Sequence, residues 1–171
     1  ISFISALLNA AQLGLEPNTP LGQAYLIPYK NKGKLECQFQ IGYKGLIDLA
    51  YRNGDMQTIQ AHTVYSNDEF DFSYGLNGTL VHKPAKENRG EPVYFYGFFK
   101  TTNGGYSYNV MSKENMDEYA KNYSKAFGSS FSPWKTNYKS MAKKTVLKQA
   151  LKYAPIKTDL ARCLTTDMSI K

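Results

Sequence analysis

Seven lysines, Lys135, Lys139, Lys143, Lys144, Lys148, Lys152 and Lys157, lie between Pro133 and the end of that stretch with no acid among them. They match the whole formal charge of +7, so the remaining basic residues are balanced by the 14 acids of the chain. A near-neutral body with one concentrated cationic segment offers a seat to a polyanion. On a helix turning about 100° per residue, Lys135, Lys139 and Lys143 form one ridge, and Lys144, Lys148 and Lys152 form another on roughly the opposite side. Ordinary surface helices pair lysines with glutamates four residues away and segregate one apolar face. This segment does neither. The plain alternative is a solvated lysine face. Against it, unbalanced lysines repel one another unless phosphates neutralise them.

Rings accompany the basic positions along the chain, here and around Lys30 to Lys34, Lys44 and Arg52: Tyr25, Tyr29, Tyr43, Tyr51, Trp134, Tyr138 and Tyr153. Base stacking on such rings tolerates any sequence and contributes about 1–3 kcal/mol per base, which suits single-stranded nucleic acid. Core packing is the competing use of the same rings, above all for Trp134 directly after Pro133. Gly42-Tyr43-Lys44-Gly45 opens a helix after a strand, where backbone N–H groups and glycines would let a phosphate approach. It is not a Walker A motif, and GxGxxG is absent as well, so nucleotide hydrolysis has no visible seat. Asp48, Asp55, Asp68, Glu69 and Asp71 could hold Mg²⁺ for a nuclease, but turn and surface roles explain their spacing as well. His62 and His82 stand without HxxxH, HxE or paired cysteines, and no catalytic constellation emerges.

Positioning these residues requires a mixed set of elements. Residues 3 to 13 place Phe3, Ile4, Leu7, Leu8 and Ala11 near one face of a core-seeking helix that stops at Gly14. A hairpin is predicted at about 24–41, with a lysine-rich tip at Lys30, Lys32 and Lys34. A helix follows over 43 to 53, turning Leu46, Ile47, Leu49 and Ala50 inward and leaving Lys44, Asp48 and Arg52 on an exposed stripe. From Met56 to Met111, β-branched and aromatic runs predict an antiparallel meander of five strands. Ser112 caps a short helix, and a Ser, Gly and Phe connection leads to Ser132. Ser132, Pro133 and Pro155 punctuate one last helix running to Tyr153.

A chain of 171 residues with 42% hydrophobic content is expected to form one domain over 1–171 around one core. No apolar run of membrane-spanning length and no signal-like opening stand out, so a cytoplasmic location is expected. Cys37 and Cys163, without CxxC spacing, are expected to be inert packing residues. A start at Ile1 and an uncapped end point to the ordered part of a longer protein.

Several blocks together resemble the RecT family of phage single-strand annealing proteins. They are Leu13-Gly14-Leu15-Glu16-Pro17; Gly22-Gln23-Ala24-Tyr25-Leu26-Ile27-Pro28-Tyr29; and Gly42 through Ala50 (GYKGLIDLA). Ser132-Pro133-Trp134 leading into Met141-Ala142-Lys143-Lys144-Thr145-Val146 completes the set in the family's order. The resemblance implies an ATP-independent recombinase that coats single-stranded DNA, anneals it to a complement and oligomerises into rings or helical filaments. It implies a partner 5′ to 3′ exonuclease, contact with the host's single-strand-binding protein through a tail, a bacterial cytoplasm, and no required cofactor, with Mg²⁺ at most a modulator. It also implies an α+β fold: a β-hairpin plus a small antiparallel sheet with a long basic helix packed across it, as in the annealing-protein superfamily.

On this reading Lys143, Lys144, Lys148 and Lys152, with Lys44 and Arg52, line a groove for the sugar-phosphate backbone, which leaves the bases outward. Lys135 and Lys139 extend the cationic wall. Tyr43, Trp134 and the hairpin tip around Lys32 are secondary candidates for stacking or gripping a second strand. Lys143 and Lys144 cannot point the same way, so one is left to face a subunit neighbour. A metal-dependent nuclease and an RNA-binding module remain the alternatives.

Overall fold

The computed structural model describes residues 1–124, 127–128, 132–155 and Ala161. Its architecture is α+β: small antiparallel sheets with helices packed on them. Helix α1 (Ser2–Gln12) precedes a hairpin of β1 (Ala24–Asn31) and β2 (Lys34–Ile41), then α2 (Tyr43–Arg52). Strands β3 (Met56–Tyr65), β4 (Glu69–Ser73), β5 (Thr79–Lys83), β6 (Pro92–Thr101) and β7 (Tyr106–Ser112) follow, then α3 (Lys113–Tyr123), α4 (Pro133–Thr136) and α5 (Tyr138–Leu151).

The hairpin forms where predicted, with Ala24 opposite Ile41 and Asn31 opposite Lys34, closed by Lys32 and Gly33, both at positive φ. That leaves a two-residue turn, so Lys30 and Lys34 belong to the strands rather than to a loop.

The five strands do not make one meander. β3, β6 and β7 form a three-stranded antiparallel sheet, while β4 and β5 pair only with each other. The physical reason lies in the rings: Phe70 packs 5.5 Å from Tyr94 and 5.6 Å from Tyr96, so this hairpin covers a sheet face instead of extending its edge. Asp68 fastens it. Its carboxylate accepts from Arg89 Nε (3.0 Å) and Nη2 (2.5 Å), from Tyr65 N and from Ala85 N, and pairs with His82 Nε2 at 3.0 Å. The Arg89 hydrogen bonds, helped by His82 and the two amides, outweigh burial and hold its pKa far below the usual carboxylate range.

Helix α5 crosses the opposite face of the three-stranded sheet. Gly97 makes this possible, since a Cβ there would lie 2.9 Å from Leu147 N and 3.0 Å from the Val146 carbonyl carbon. Leu147 and Leu151 meet Leu46, Leu49, Ile59 and Phe99 in one core cluster, and Ala142 and Val146 meet Phe95, Met116 and Trp134 in another. Burying these side chains stabilises the docked helix by about 1.5–3 kcal/mol for each large aliphatic one.

Two helix expectations are corrected. The terminal helix is broken at Asn137, whose φ −138° and ψ 45° separate α4 from α5. Tyr138 is held there by its ring contacts with Trp134 and Phe95 and by its hydroxyl bond to the Asp117 carboxylate on α3. Lys135 therefore leaves the ridge of Lys139 and Lys143. In α1 only Ala6 and Ala10 are buried, while Phe3 (55% exposed), Ile4 (61%), Leu7 and Leu8 face outward. Small residues let α1 lie close against β2, anchored where Cys37 N donates to Ser2 Oγ, and the large side chains point away. Lys157 and Cys163, and the middle of the Ser, Gly and Phe connection, lie outside the described residues.

Candidate nucleic-acid interface

Helix α5 puts Lys139 and Lys143 four residues apart on one ridge, and each amine is set on a tyrosine. Lys139 Nζ donates to Tyr65 Oη at 2.9 Å and sits 5.1 Å from that ring's centroid. Lys143 Nζ lies 5.8 Å from the centroid of Tyr43, the first residue of α2. The guanidinium of Arg89 covers Tyr65 at 4.3 Å. Tyr65 ends β3, which is an edge strand of its sheet, so the ridge runs beside a sheet edge between α2 and the loop after β5. Cations fixed on rings keep their charge outward at low conformational cost, which is what a phosphate ladder needs.

The other predicted residues are dispersed. Lys44 is exposed on α2, Lys152 is exposed at the end of α5, and Lys135 is exposed with its Nζ 3.4 Å from the Gly128 carbonyl oxygen. Lys32 stands at the remote hairpin tip. Lys144 (6% exposed) and Lys148 (8%) are buried and present no open cationic wall. Arg52 donates to the carbonyls of Leu13 (2.8 Å) and Gly14 (3.0 Å), locking the end of α1. It also lies 2.5 Å from Asp48 Oδ2, an ion pair without an aligned hydrogen bond. Trp134 is buried among Tyr138, Phe95 and Met116, so it is a core residue and offers no free ring.

The glycines of Gly42-Tyr43-Lys44-Gly45 serve packing. A Cβ on Gly42 would lie 2.3 Å from the Gly22 carbonyl oxygen, and one on Gly45 2.2 Å from that of Gln23. The clearance expected to admit phosphate is filled by the turn before β1, which also accepts the Gly42 N–H at Gln23 O (2.8 Å). The ring of Tyr25 borders this turn, half-exposed, close to the stem of Lys44.

Sequence reasoning missed Tyr65 and Arg89. Neither lies near the basic segment in the chain: Tyr65 comes to α5 at the end of β3, and Asp68 holds Arg89 over its ring. His62, also on β3, has its imidazole pushed below the ordinary value, first by burial and then by the charges of Lys143 and His82. Among the described residues no three or more His, Cys, Asp or Glu side chains gather as they would around a metal ion. No described helix is long and apolar enough to cross a membrane.

Fold and site together define a small α+β protein carrying a tyrosine-seated cationic ridge beside a sheet edge. The chain belongs to the RecT family, whose sequence profile matches residues 1–169. It is 40% identical over 172 residues to Protein RecT of Escherichia coli (strain K12), covering 98% of this chain and 62% of that protein. It is 31% identical over 152 residues to the uncharacterized protein YqaK of Bacillus subtilis (strain 168), covering 88% of this chain and 50% of that one. The chain thus spans between half and two thirds of the length of these relatives.

Proposed function

We propose that this chain binds single-stranded DNA along its sugar-phosphate backbone and anneals complementary strands without ATP, as one subunit of an assembly along the DNA. The observation that carries this reading is the ridge of Lys139 and Lys143, seated on Tyr65 and Tyr43 in an acid-free segment of a RecT-family chain. Arg89, Lys44 and Lys152 extend the cationic surface. Buried Lys144 and Lys148 join it only where the surface that covers them opens on assembly.

Phosphate contacts hold a strand without reading it, so bases of any sequence stay outward for a mate. Pairing and stacking of the new duplex then drive the reaction, and the protein supplies alignment and charge screening. No cofactor is required on this reading, and Mg²⁺ acts only through the strands' own repulsion. A ring or helical filament, a 5′ to 3′ exonuclease that supplies the strand, the host's single-strand-binding protein and a bacterial cytoplasm complete the proposal.

The test mixes complementary oligonucleotides carrying a donor and an acceptor dye, with and without the protein, in the absence of ATP. Faster energy transfer with full-length strands supports annealing. Shortened strands in the presence of Mg²⁺ would instead make the chain a nuclease, and preferential competition by RNA would make it an RNA-binding module.

A further inference from the structure

The face of the three-stranded sheet turned away from α5 is only half covered. Strand register puts Gln60, Phe98 and Tyr108 in one row and Thr58, Lys100 and Tyr106 in the next. The β4–β5 hairpin lies over the neighbouring Tyr94 and Tyr96, and its border is drawn where Tyr108 Oη donates to the Ser73 carbonyl. Tyr108 lies under that border, its ring stacked 5.4 Å from Tyr74 at 16°, whereas beyond it Phe98 is half-buried and Tyr106 is 54% exposed. Phe98 is tilted only 14° from His62 and 22° from Tyr96, with centroids 6.4 and 6.3 Å away. Same-face neighbours so nearly parallel, Tyr96 along β6 and His62 diagonally across on β3, lie side by side and make a flat aromatic surface, not an interlocked core.

We propose that this open aromatic face is a stacking platform for unpaired bases of single-stranded DNA, distinct from the lysine ridge that holds phosphates. Three observations favour nucleobases as the occupant. Flat π-surfaces of this kind accept any base, whereas apolar side chains of a protein partner would leave the cationic Lys100 between Phe98 and Tyr106 unmatched. The register places no Asp or Glu on this face, and Lys100 stands in it as an exposed cation. The platform also adjoins the ridge, because Lys139 bonds Tyr65 at the end of β3, the edge strand whose Gln60 and His62 belong to this face. A strand whose phosphates follow Lys139 and Lys143 along the β3 edge would have bases within reach of the face. A base lying flat on it by its ring face keeps its pairing edge open to a mate, whereas a base already paired is stacked between duplex neighbours and cannot lie there, so the platform favours the strand before annealing and releases it after.

This inference rests on the proposed DNA binding, and the experiment separates the two. Anisotropy titrations compare a labelled thymine oligonucleotide with an abasic deoxyribose-phosphate oligomer of equal length. The unaltered chain should bind the thymine strand more tightly. Phe98→Leu and the surface substitution Tyr106→Ala should each weaken thymine binding at least about fivefold and leave abasic binding unchanged. Lys139→Ala with Lys143→Ala should weaken both ligands. Ring variants that bind both oligomers as the unaltered chain does would overturn the platform while leaving the ridge in place. So would variants whose only change is in the sedimentation of the DNA-free chain, since the face would then belong to a second copy. Failure of the unaltered chain to bind either oligomer overturns the ridge and the platform together.

Discussion

Replacing Lys139 and Lys143 together with alanine isolates the ridge from the fold. Lys139 is exposed and Lys143 half-buried, their amines lie over tyrosine rings at 5.1 and 5.8 Å from the centroids, and neither faces a carboxylate in those contacts. Exposed cation–π contacts contribute about 0.5–1 kcal/mol each, so the pair removes at most about 2 kcal/mol and a folded variant is expected. The effect on binding is larger and has a signature. Each neutralised phosphate of a single strand contributes about 0.7 to the slope of log K against log salt, so losing two contacts flattens the slope by about 1.4. A tenfold rise in salt then weakens the unaltered chain about 25-fold more than the variant. Titrations of a labelled oligonucleotide across a KCl series read this directly, and the loss should be uniform across base compositions. A folded variant with the original slope would remove α5 as a wall of the site.

Gly97→Ala forces a Cβ to within 2.9 Å of Leu147 N, a backbone atom that cannot swing aside, so α5 must shift. Overpacking of this kind costs about 1–3 kcal/mol, and thermal melting should fall by roughly 2–12 °C; an unchanged midpoint would show that α5 does not dock as described. Asp68→Asn should destabilise by about 3 kcal/mol, the low end for a broken covered ion pair, because Asp68 has no exposed side-chain surface yet its partner Arg89 reaches solvent. The folded pKa of Asp68 is depressed, so its stabilisation is complete above the unfolded value of about 3.9 and is lost as pH falls through the folded value. Denaturant midpoints measured downward from pH 5 should therefore fall less in the asparagine variant than in the unaltered chain. Arg52→Ala should speed hydrogen exchange in α1, whose last turn loses donors to the Leu13 and Gly14 carbonyls, while the salt slope for DNA stays the same.

How much of this was legible in the sequence depends on the range of the interactions that decide each element. The β1–β2 hairpin and α2 obey local rules, since turn residues, alternation and a helical apolar stripe lie within a few positions of one another; the hairpin keeps its outer limits of 24 and 41 with a tighter turn than expected, and α2 ends at Arg52, one residue early. The kink at Asn137 was illegible because its cause is remote: Asp117 and Phe95 pin Tyr138, whereas the local sequence from Pro133 onward reads as one helix. The split of the predicted meander has the same origin in Phe70 meeting Tyr94 and Tyr96. Periodicity also fails for α1, because an apolar stripe reports a face that avoids water in some assembly and not which partner covers it.

For the candidate site, lysine content pointed to α5 but could not tell a seated cation from a buried one. Lys143 and Lys144 are adjacent in sequence and about 100° apart on the helix, and one rests on Tyr43 while the other is buried. What distinguishes them is the presence of Tyr43 and Tyr65 on elements brought to α5 by long-range packing. Counting lysines measures attraction for a polyanion, while the tyrosines beneath Lys139 and Lys143 are what set these two apart from the buried Lys144 and Lys148.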